Sequence, residues 1–140
     1  MKLTRLKVAV LVPGLLALSA CTAVAASQSE LTLHRQDAGR RYTVHVGDTV
    51  RIDLLDTFGV PGSSTVWQAD TSNPSVLSRL TTSRQMPPSI MNSQGHYIAT
   101  FRAQKSGEAI IKLVGAASCE AMNPAFCPQP PSGSIAVTVS

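Results

Sequence analysis

The chain is 140 residues long, and its 12 Lys and Arg residues against 8 Asp and Glu residues give a formal net charge of +4. Three of the basic residues (Lys2, Arg5 and Lys7) lie in the first 20 positions, so residues 21–140 carry nine basic and eight acidic side chains. A nearly neutral surface lacks the positive patch that nucleic-acid binding requires, and we therefore expect no nucleic-acid partner. The remaining length suits one domain with its own core.

The first 20 residues have the organisation of a bacterial export signal. A basic start is followed by an apolar stretch over residues 8–18, which is too short for a lasting transmembrane helix. The Leu-Ser-Ala-Cys sequence that ends at Cys21 resembles the lipobox of bacterial lipoproteins. This resemblance implies removal of residues 1–20 and acylation of Cys21, with residues 21–30 as a flexible tether. The alternative is an ordinary signal peptide that is cut within residues 23–26.

A lipid on Cys21 would hold the protein at the inner or the outer membrane of a bacterial envelope, with its domain outside the cytoplasm. Two other cysteines, Cys119 and Cys127, then remain. Exported proteins meet an oxidising environment, in which an even number of cysteines indicates disulfide bonding. We therefore predict a disulfide between these two residues, and closing so small a loop stabilises a domain by about 2–3 kcal/mol.

Most of the chain after residue 30 alternates between apolar and polar residues, as β-strands do. Strands are predicted around Leu31 and Leu33, over residues 42–46 and over residues 49–54. The Gly-Asp step between the last two predicts a hairpin. Later strands are separated by turn-forming Gly, Pro, Asn and Ser and are predicted over residues 65–69, 76–80, 96–103, 108–114 and 134–140.

No segment after the signal has a helical period, and seven or eight short strands in about 110 residues are typical of an Ig-like antiparallel β-sandwich. We therefore predict an all-β fold with a single domain at residues 31–140. A tryptophan on a strand is commonly buried between the two sheets of such a domain. The predicted core is Val44, Val50, Ile52, Leu54, Trp67, Val76, Leu77, Ile98, Phe101, Ile110, Leu113, Ile135, Val137 and Val139.

Two long segments, residues 81–95 and residues 115–133, interrupt the predicted strands. The second contains Cys119, Cys127 and four prolines. Loops of this length are uncommon in compact domains unless they have a function. A loop that is stiffened by proline and a disulfide also loses less entropy on binding. We therefore expect a contact surface for a protein partner in this part of the chain.

Residues 46–54, 61–67 and 73–77 resemble the framework of the chagasin family of cysteine-peptidase inhibitors, and the likeness continues through the last strand. The resemblance implies an immunoglobulin-like sandwich that inserts three loops from one end into the cleft of a papain-type peptidase. Pro61 and Trp67 match the family's first loop and the tryptophan that follows it.

Other loop positions differ from the family's motifs. Where the family has Asn-Pro-Thr-Thr-Gly, this chain has Val60, Pro61, Gly62, Ser63 and Ser64. The Gly-rich second loop is represented by Gly95. The Arg-Pro-Trp motif of the third loop corresponds to Gly115, Ala116 and Ala117. These nine residues are the candidate partner-binding positions.

Catalytic and metal-binding patterns are weak in this sequence. No Ser or Cys has a nucleophile signature, and Asp48, Asp53 and Asp56 lack the spacing of a calcium loop. Met86, Met91 and His96 could bind Cu(I), but we expect the methionines to cover core surface. His45 is expected to be solvated. We therefore expect no catalysis, no metal and no cofactor. The groups considered are His34, His45, His96, Asp48, Asp53, Asp56, Met86 and Met91.

The sequence favours a lipid-anchored, exported binding module without catalysis, which contacts a protein partner through loops at one end of a β-sandwich. One alternative is a chagasin-like inhibitor, with a papain-type cysteine peptidase as the partner. A second alternative is a lipoprotein that assembles or supports the cell envelope. The two alternatives differ in the surface used, since an inhibitor depends on its loops whereas an assembly module can bind through a sheet edge or face.

Overall fold

The computed structural model describes residues 27–58, 65–86, 93–117 and 131–140. No helix in these ranges has the length and apolar character needed to cross a membrane. One short 3₁₀ helix, Arg35–Asp37, follows the first strand. The strands of the described ranges are β1 (Glu30–Leu33), β2 (Arg41–Val44), β3 (Thr49–Phe58), β4 (Thr65–Thr71), β5 (Leu77–Gln85), β6 (Ser93–Ala103), β7 (Gly107–Ala117) and β8 (Ser132–Val139).

The strands form two layers around one core. The β3 layer has the order β1-β3-β6-β5, and the β8 layer has the order β2-β8-β7-β4. Among the described residues, backbone pairing joins the layers where Thr57 of β3 lies opposite Thr65 of β4. The architecture confirms the predicted all-β sandwich. Antiparallel pairs predominate, but β1 pairs with β3 and β2 pairs with β8 in parallel, which the sequence pattern did not indicate.

The turn at Gly47 and Asp48 does not form the predicted hairpin. β2 pairs with β8, whereas β3 pairs with β1 and β6, so the chain crosses between the layers at this turn. The Val46 N–H donates to the Ser140 carbonyl in the β8 layer (3.1 Å). The Gly47 N–H donates to the Ala103 carbonyl in the β3 layer (2.8 Å). The hairpin prediction was wrong because a Gly-Asp turn determines local backbone shape and not the partner of each strand.

The core lies between the layers and contains all of the predicted core residues except Ile98 and Ile110. Ile98 is 8% exposed but lies outside the core cluster, because Tyr97, Ala99 and Phe101 are the residues that β6 turns inward. Ile110 is 45% exposed, while the neighbouring Ile111 is fully buried. A strand directs residues of odd separation to opposite faces, so Ile110 and Leu113 cannot both face the core. β7 turns Ala109, Ile111 and Leu113 inward, and the prediction of Ile110 was wrong for this reason. Trp67 is buried between the layers, as predicted.

Asp48 connects the first described residues to the body of the domain. One carboxylate oxygen accepts the Ser29 N–H (3.0 Å), and the other accepts the His45 N–H (2.9 Å). These backbone hydrogen bonds, that of His45 first, lower the pKa of the Asp48 carboxyl. The His45 side chain is 81% exposed, as expected for a solvated residue. Asp48 therefore has a structural role in the turn that leads into β3.

Candidate functional site

Three connecting segments leave the sandwich at the same end. They contain residues 59–64 between β3 and β4, residues 87–92 between β5 and β6, and residues 118–130 between β7 and β8, all outside the described residues. The strand ends that flank these segments are neighbours in the backbone pairing. We call this end of the sandwich the loop end, and it is defined by Phe58, Thr65, Gln85, Ser93, Ala117 and Ser132.

The candidate residues of the first two predicted loops are found in different places. Gly95 lies within β6, is buried and pairs with Asp56 of β3, so it belongs to the framework rather than to a loop. β5 extends to Gln85 and β6 begins at Ser93, which makes the second connection shorter than predicted. The other predicted contact residues, together with the cysteines, lie outside the described residues: Cys21, Val60, Pro61, Gly62, Ser63, Ser64, Cys119 and Cys127.

The candidate residues of the third loop, Gly115, Ala116 and Ala117, are the last residues of β7 and not loop residues. The Gly115 N–H donates to the Pro131 carbonyl at the entrance to β8 (2.8 Å). A Cβ atom at residue 115 would lie 3.0 Å from the Pro131 Cγ, the Pro131 carbonyl oxygen and the Thr65 Cγ2. Glycine therefore allows β7, β4 and the start of β8 to approach closely, whereas Ala116 is exposed.

Side chains of the β3 layer bind the edge of β4 that faces away from β7. The Trp67 N–H donates to one Asp56 carboxylate oxygen (2.8 Å), and the Arg84 Nε donates to the other (2.6 Å). The Arg84 Nη2 donates to the Trp67 carbonyl (2.7 Å). Asp56 is fully buried and the Arg84 side chain is 34% exposed. These three hydrogen bonds form a closed ring that joins β3, β4 and β5 beside the loop end.

Tyr97 and Arg79 continue this arrangement along β4, away from the loop end. The Ala69 N–H donates to the Tyr97 hydroxyl (3.1 Å). The Arg79 Nη2 donates to the Ala69 carbonyl and to the Asp70 carboxylate, the latter at 3.1 Å. The Arg84 guanidinium lies 5.3 Å from the centroid of the Tyr97 ring, within cation–π range. Side chains thus satisfy backbone groups of β4 that would otherwise lack a partner, and a buried strand edge needs such partners.

A separate polar cluster lies at the exposed face of β3 and β6. The His96 Nδ1 is 2.8 Å from an Asp53 carboxylate oxygen, and the His34 Nδ1 is 3.2 Å from the Asp53 carbonyl oxygen. These residues line a cavity of about 270 Å³. In the part of the chain that the structure describes, no three His, Cys, Asp or Glu residues are grouped to hold a metal ion. Asp48, Asp53 and Asp56 thus lie in three separate environments.

Neither a protein-family model nor a curated protein matches the sequence, but solved structures match the fold. The cysteine protease inhibitor EhICP2 from Entamoeba histolytica is 13% identical with a TM-score of 0.61, over 82% of this chain and 99% of that chain. Amebosin, solved in solution, is 21% identical with a TM-score of 0.55, over 82% and 100%. PbICP-C, solved in complex with falcipain-2, is 14% identical with a TM-score of 0.50, over 82% and 93%.

The chain shares the fold of these three structures, a chagasin-like framework. Identities of 13–21% show the fold alone. Within this fold, the strand ends of the loop end bring the three connecting segments to one end of the sandwich, as the family resemblance implied. The chain also keeps the buried tryptophan that follows the first connection.

Sequence reasoning missed Asp56 and Arg84 as parts of the site. Asp56 continues the inward-facing series of Ile52 and Leu54, and this position was a usable signal because a buried carboxylate needs a positive partner. Its positively charged partner, Arg84, was harder to predict from the sequence. The pairing of β5 with β6 shifts register between Arg79 and Thr81, and this shift turns Arg84 towards the interior.

Proposed function

We propose that this protein is an exported, lipid-anchored inhibitor that binds a papain-type cysteine peptidase through its loop end. The observation that carries the proposal is the convergence of three connecting segments at one end of a chagasin fold. Structures with this fold include a protein described as a cysteine protease inhibitor and one solved in complex with falcipain-2. Inhibition by this route needs no catalytic group, because the inhibitor acts by filling the cleft.

Residues of the first connection are the proposed centre of the contact. Pro61 limits the backbone conformations of the segment, and the small residues Gly62, Ser63 and Ser64 let its backbone approach a narrow cleft closely. Its base is held on one side by β3 and on the other by β4, which the ring around Trp67 connects. A preordered segment loses less entropy on binding than a free one, and this difference favours affinity.

The proposed location rests on the signal-like start of the chain and on Cys21. Acylated Cys21 would keep the domain outside the cytoplasm at the surface of a membrane. Growth with a clickable palmitate analogue tests this proposal. The wild-type protein should incorporate the analogue and sediment with membranes, whereas C21S should lose the label. Labelling that persists in C21S would contradict the lipid assignment.

The proposed disulfide between Cys119 and Cys127 would close a loop within the third connection. Such a closure restricts the unfolded chain and orders the segment before it binds. Alkylation of the denatured, unreduced protein should modify neither cysteine, and mass spectrometry after reduction should show two newly modified thiols. Alkylation of both residues before reduction would exclude the bond.

Inhibition of a papain-type peptidase by the full-length protein in detergent tests the proposed function. The wild-type protein should inhibit competitively, and replacement of residues 61–64 by Gly-Ser-Gly-Ser should weaken inhibition by at least about 100-fold, the loss expected on removal of a central contact. K105A is the matched control, because Lys105 is exposed between β6 and β7 at the opposite end. Full peptidase activity at micromolar inhibitor would contradict the proposal. Capture of an envelope protein by both forms would favour an assembly module.

A further inference from the structure

We infer that Asp56 and Arg84 are positioning residues of the inhibitory site, which hold the bases of the first two connections in one fixed arrangement. The inference rests on the proposed function, since it concerns the same loop end. Neither residue needs to touch the peptidase. Their effect is transmitted through the Trp67 backbone, which both of them bind.

The first argument concerns the cost of the pair. Asp56 is fully buried, and placing a carboxylate in the interior costs more free energy than placing an apolar side chain there. A buried ion pair can often be replaced by apolar residues without loss of stability, so stability alone does not account for the presence of Asp56 and Arg84. A buried pair of this kind can instead select one geometry among several, because its hydrogen bonds form only in that geometry.

The second argument concerns what the pair connects. Asp56 lies two residues before the end of β3, and Trp67 lies two residues after the start of β4. The hydrogen bond between them therefore closes the base of residues 59–64. Arg84 is the penultimate residue of β5 and lies three positions before residue 87, the first residue of the second connection. One partly buried ring of hydrogen bonds thus joins the bases of two connections that must act together in a cleft.

The third argument comes from a similar contact farther from the loop end. Arg79 also extends from β5 to β4, where it binds the Ala69 carbonyl and the Asp70 carboxylate. Asp70 is 77% exposed and one residue from the far end of β4, so this contact joins the same two strands without holding a loop base. Removal of the Arg79 contact therefore shows the effect of losing a contact between β5 and β4 that does not hold a connection.

The test compares D56N/R84M with R79M in the full-length protein purified in detergent. R84M alone would leave a buried carboxylate unpaired and would risk unfolding, whereas the side-chain amide that D56N introduces keeps an acceptor for the Trp67 N–H and leaves no unpaired charge. We expect the complex of D56N/R84M with papain to dissociate about tenfold faster than the wild-type complex, with little change in association rate, because affinity changes within one interface are mostly changes in dissociation. R79M should dissociate at the wild-type rate.

A second readout requires no peptidase. Native-state hydrogen exchange should be faster at residues 59–64 and 87–92 in D56N/R84M than in the wild type, and unchanged there in R79M. Unchanged exchange in a folded D56N/R84M, or equal acceleration in R79M, would overturn the positioning role. If the wild type binds no peptidase, the proposed function fails, and the exchange result still decides whether Asp56 and Arg84 hold the connections.

Discussion

Replacement of Gly115 by alanine tests whether the close contact between β7, β4 and the start of β8 is required at the loop end. The new methyl group would lie 3.0 Å from the Pro131 carbonyl oxygen, the Pro131 Cγ and the Thr65 Cγ2. These distances are shorter than ordinary van der Waals contact, so β7 must move away from at least one neighbour. Movement of β7 would also lengthen the 2.8 Å hydrogen bond from the Gly115 N–H to the Pro131 carbonyl.

The expected cost follows from two opposing effects. Overpacking of a well-packed site costs about 1–3 kcal/mol. Alanine also lowers the conformational entropy of the unfolded chain, and this effect raises the free energy of unfolding by about 0.4–1 kcal/mol. We therefore expect G115A to lower the free energy of unfolding by about 1–2 kcal/mol. For a domain of this size that loss lowers Tm by about 5–10 °C.

Urea unfolding followed by Trp67 fluorescence measures this loss, with A116S as the matched control. Ala116 is exposed, and its substitution should change stability by less than about 0.5 kcal/mol. A neutral or stabilising effect of G115A would refute the packing argument. The same argument predicts that the family's Arg-Pro-Trp motif, placed at residues 115–117, destabilises the domain, because arginine has no room at residue 115.

Three further predictions concern the framework. I111A should cost about 2–5 kcal/mol in urea unfolding, whereas I110A should cost less than about 1 kcal/mol; equal losses would contradict the β7 register. Because its pKa is lowered, Asp48 contributes stability that is present above its ordinary pKa of 3.8 and lost as pH falls below it, and D48N should flatten this acid dependence in unfolding curves. Y97F leaves the Ala69 N–H without an acceptor and should cost about 1–3 kcal/mol, and an unchanged Tm would contradict that hydrogen bond.

The strand pattern was readable from the sequence because each strand alternates along its own length. Val50, Ile52 and Leu54 mark one face of β3, and that face became part of the core. Which strands pair could not be read in this way. The Gly47-Asp48 turn has the composition of a hairpin, but the Val46 N–H before it donates into the β8 layer, whereas the Gly47 N–H donates into the β3 layer. The layer that each strand joins depends on residues far away in the sequence.

The candidate site was only partly predictable. The family resemblance implied that the three connecting segments lie at one end of the sandwich. The strands are longer than the sequence pattern indicated, so Gly95 and Gly115 belong to strands rather than to loops. Arg84 illustrates why the remaining part of the candidate site could not be predicted from the sequence. The register shift between Arg79 and Thr81 changes which residues of β5 face inward, and no local feature of the sequence announces it.

Protection of a catalytic thiol tests the central claim most directly. A papain-type peptidase is incubated with the full-length protein, and alkylation of its active-site cysteine by iodoacetamide is then followed over time. If the loop end fills the cleft, the wild-type protein should slow alkylation strongly, and the form with residues 61–64 replaced by Gly-Ser-Gly-Ser should not. Alkylation at the same rate with and without a saturating excess of the wild-type protein would contradict the claim.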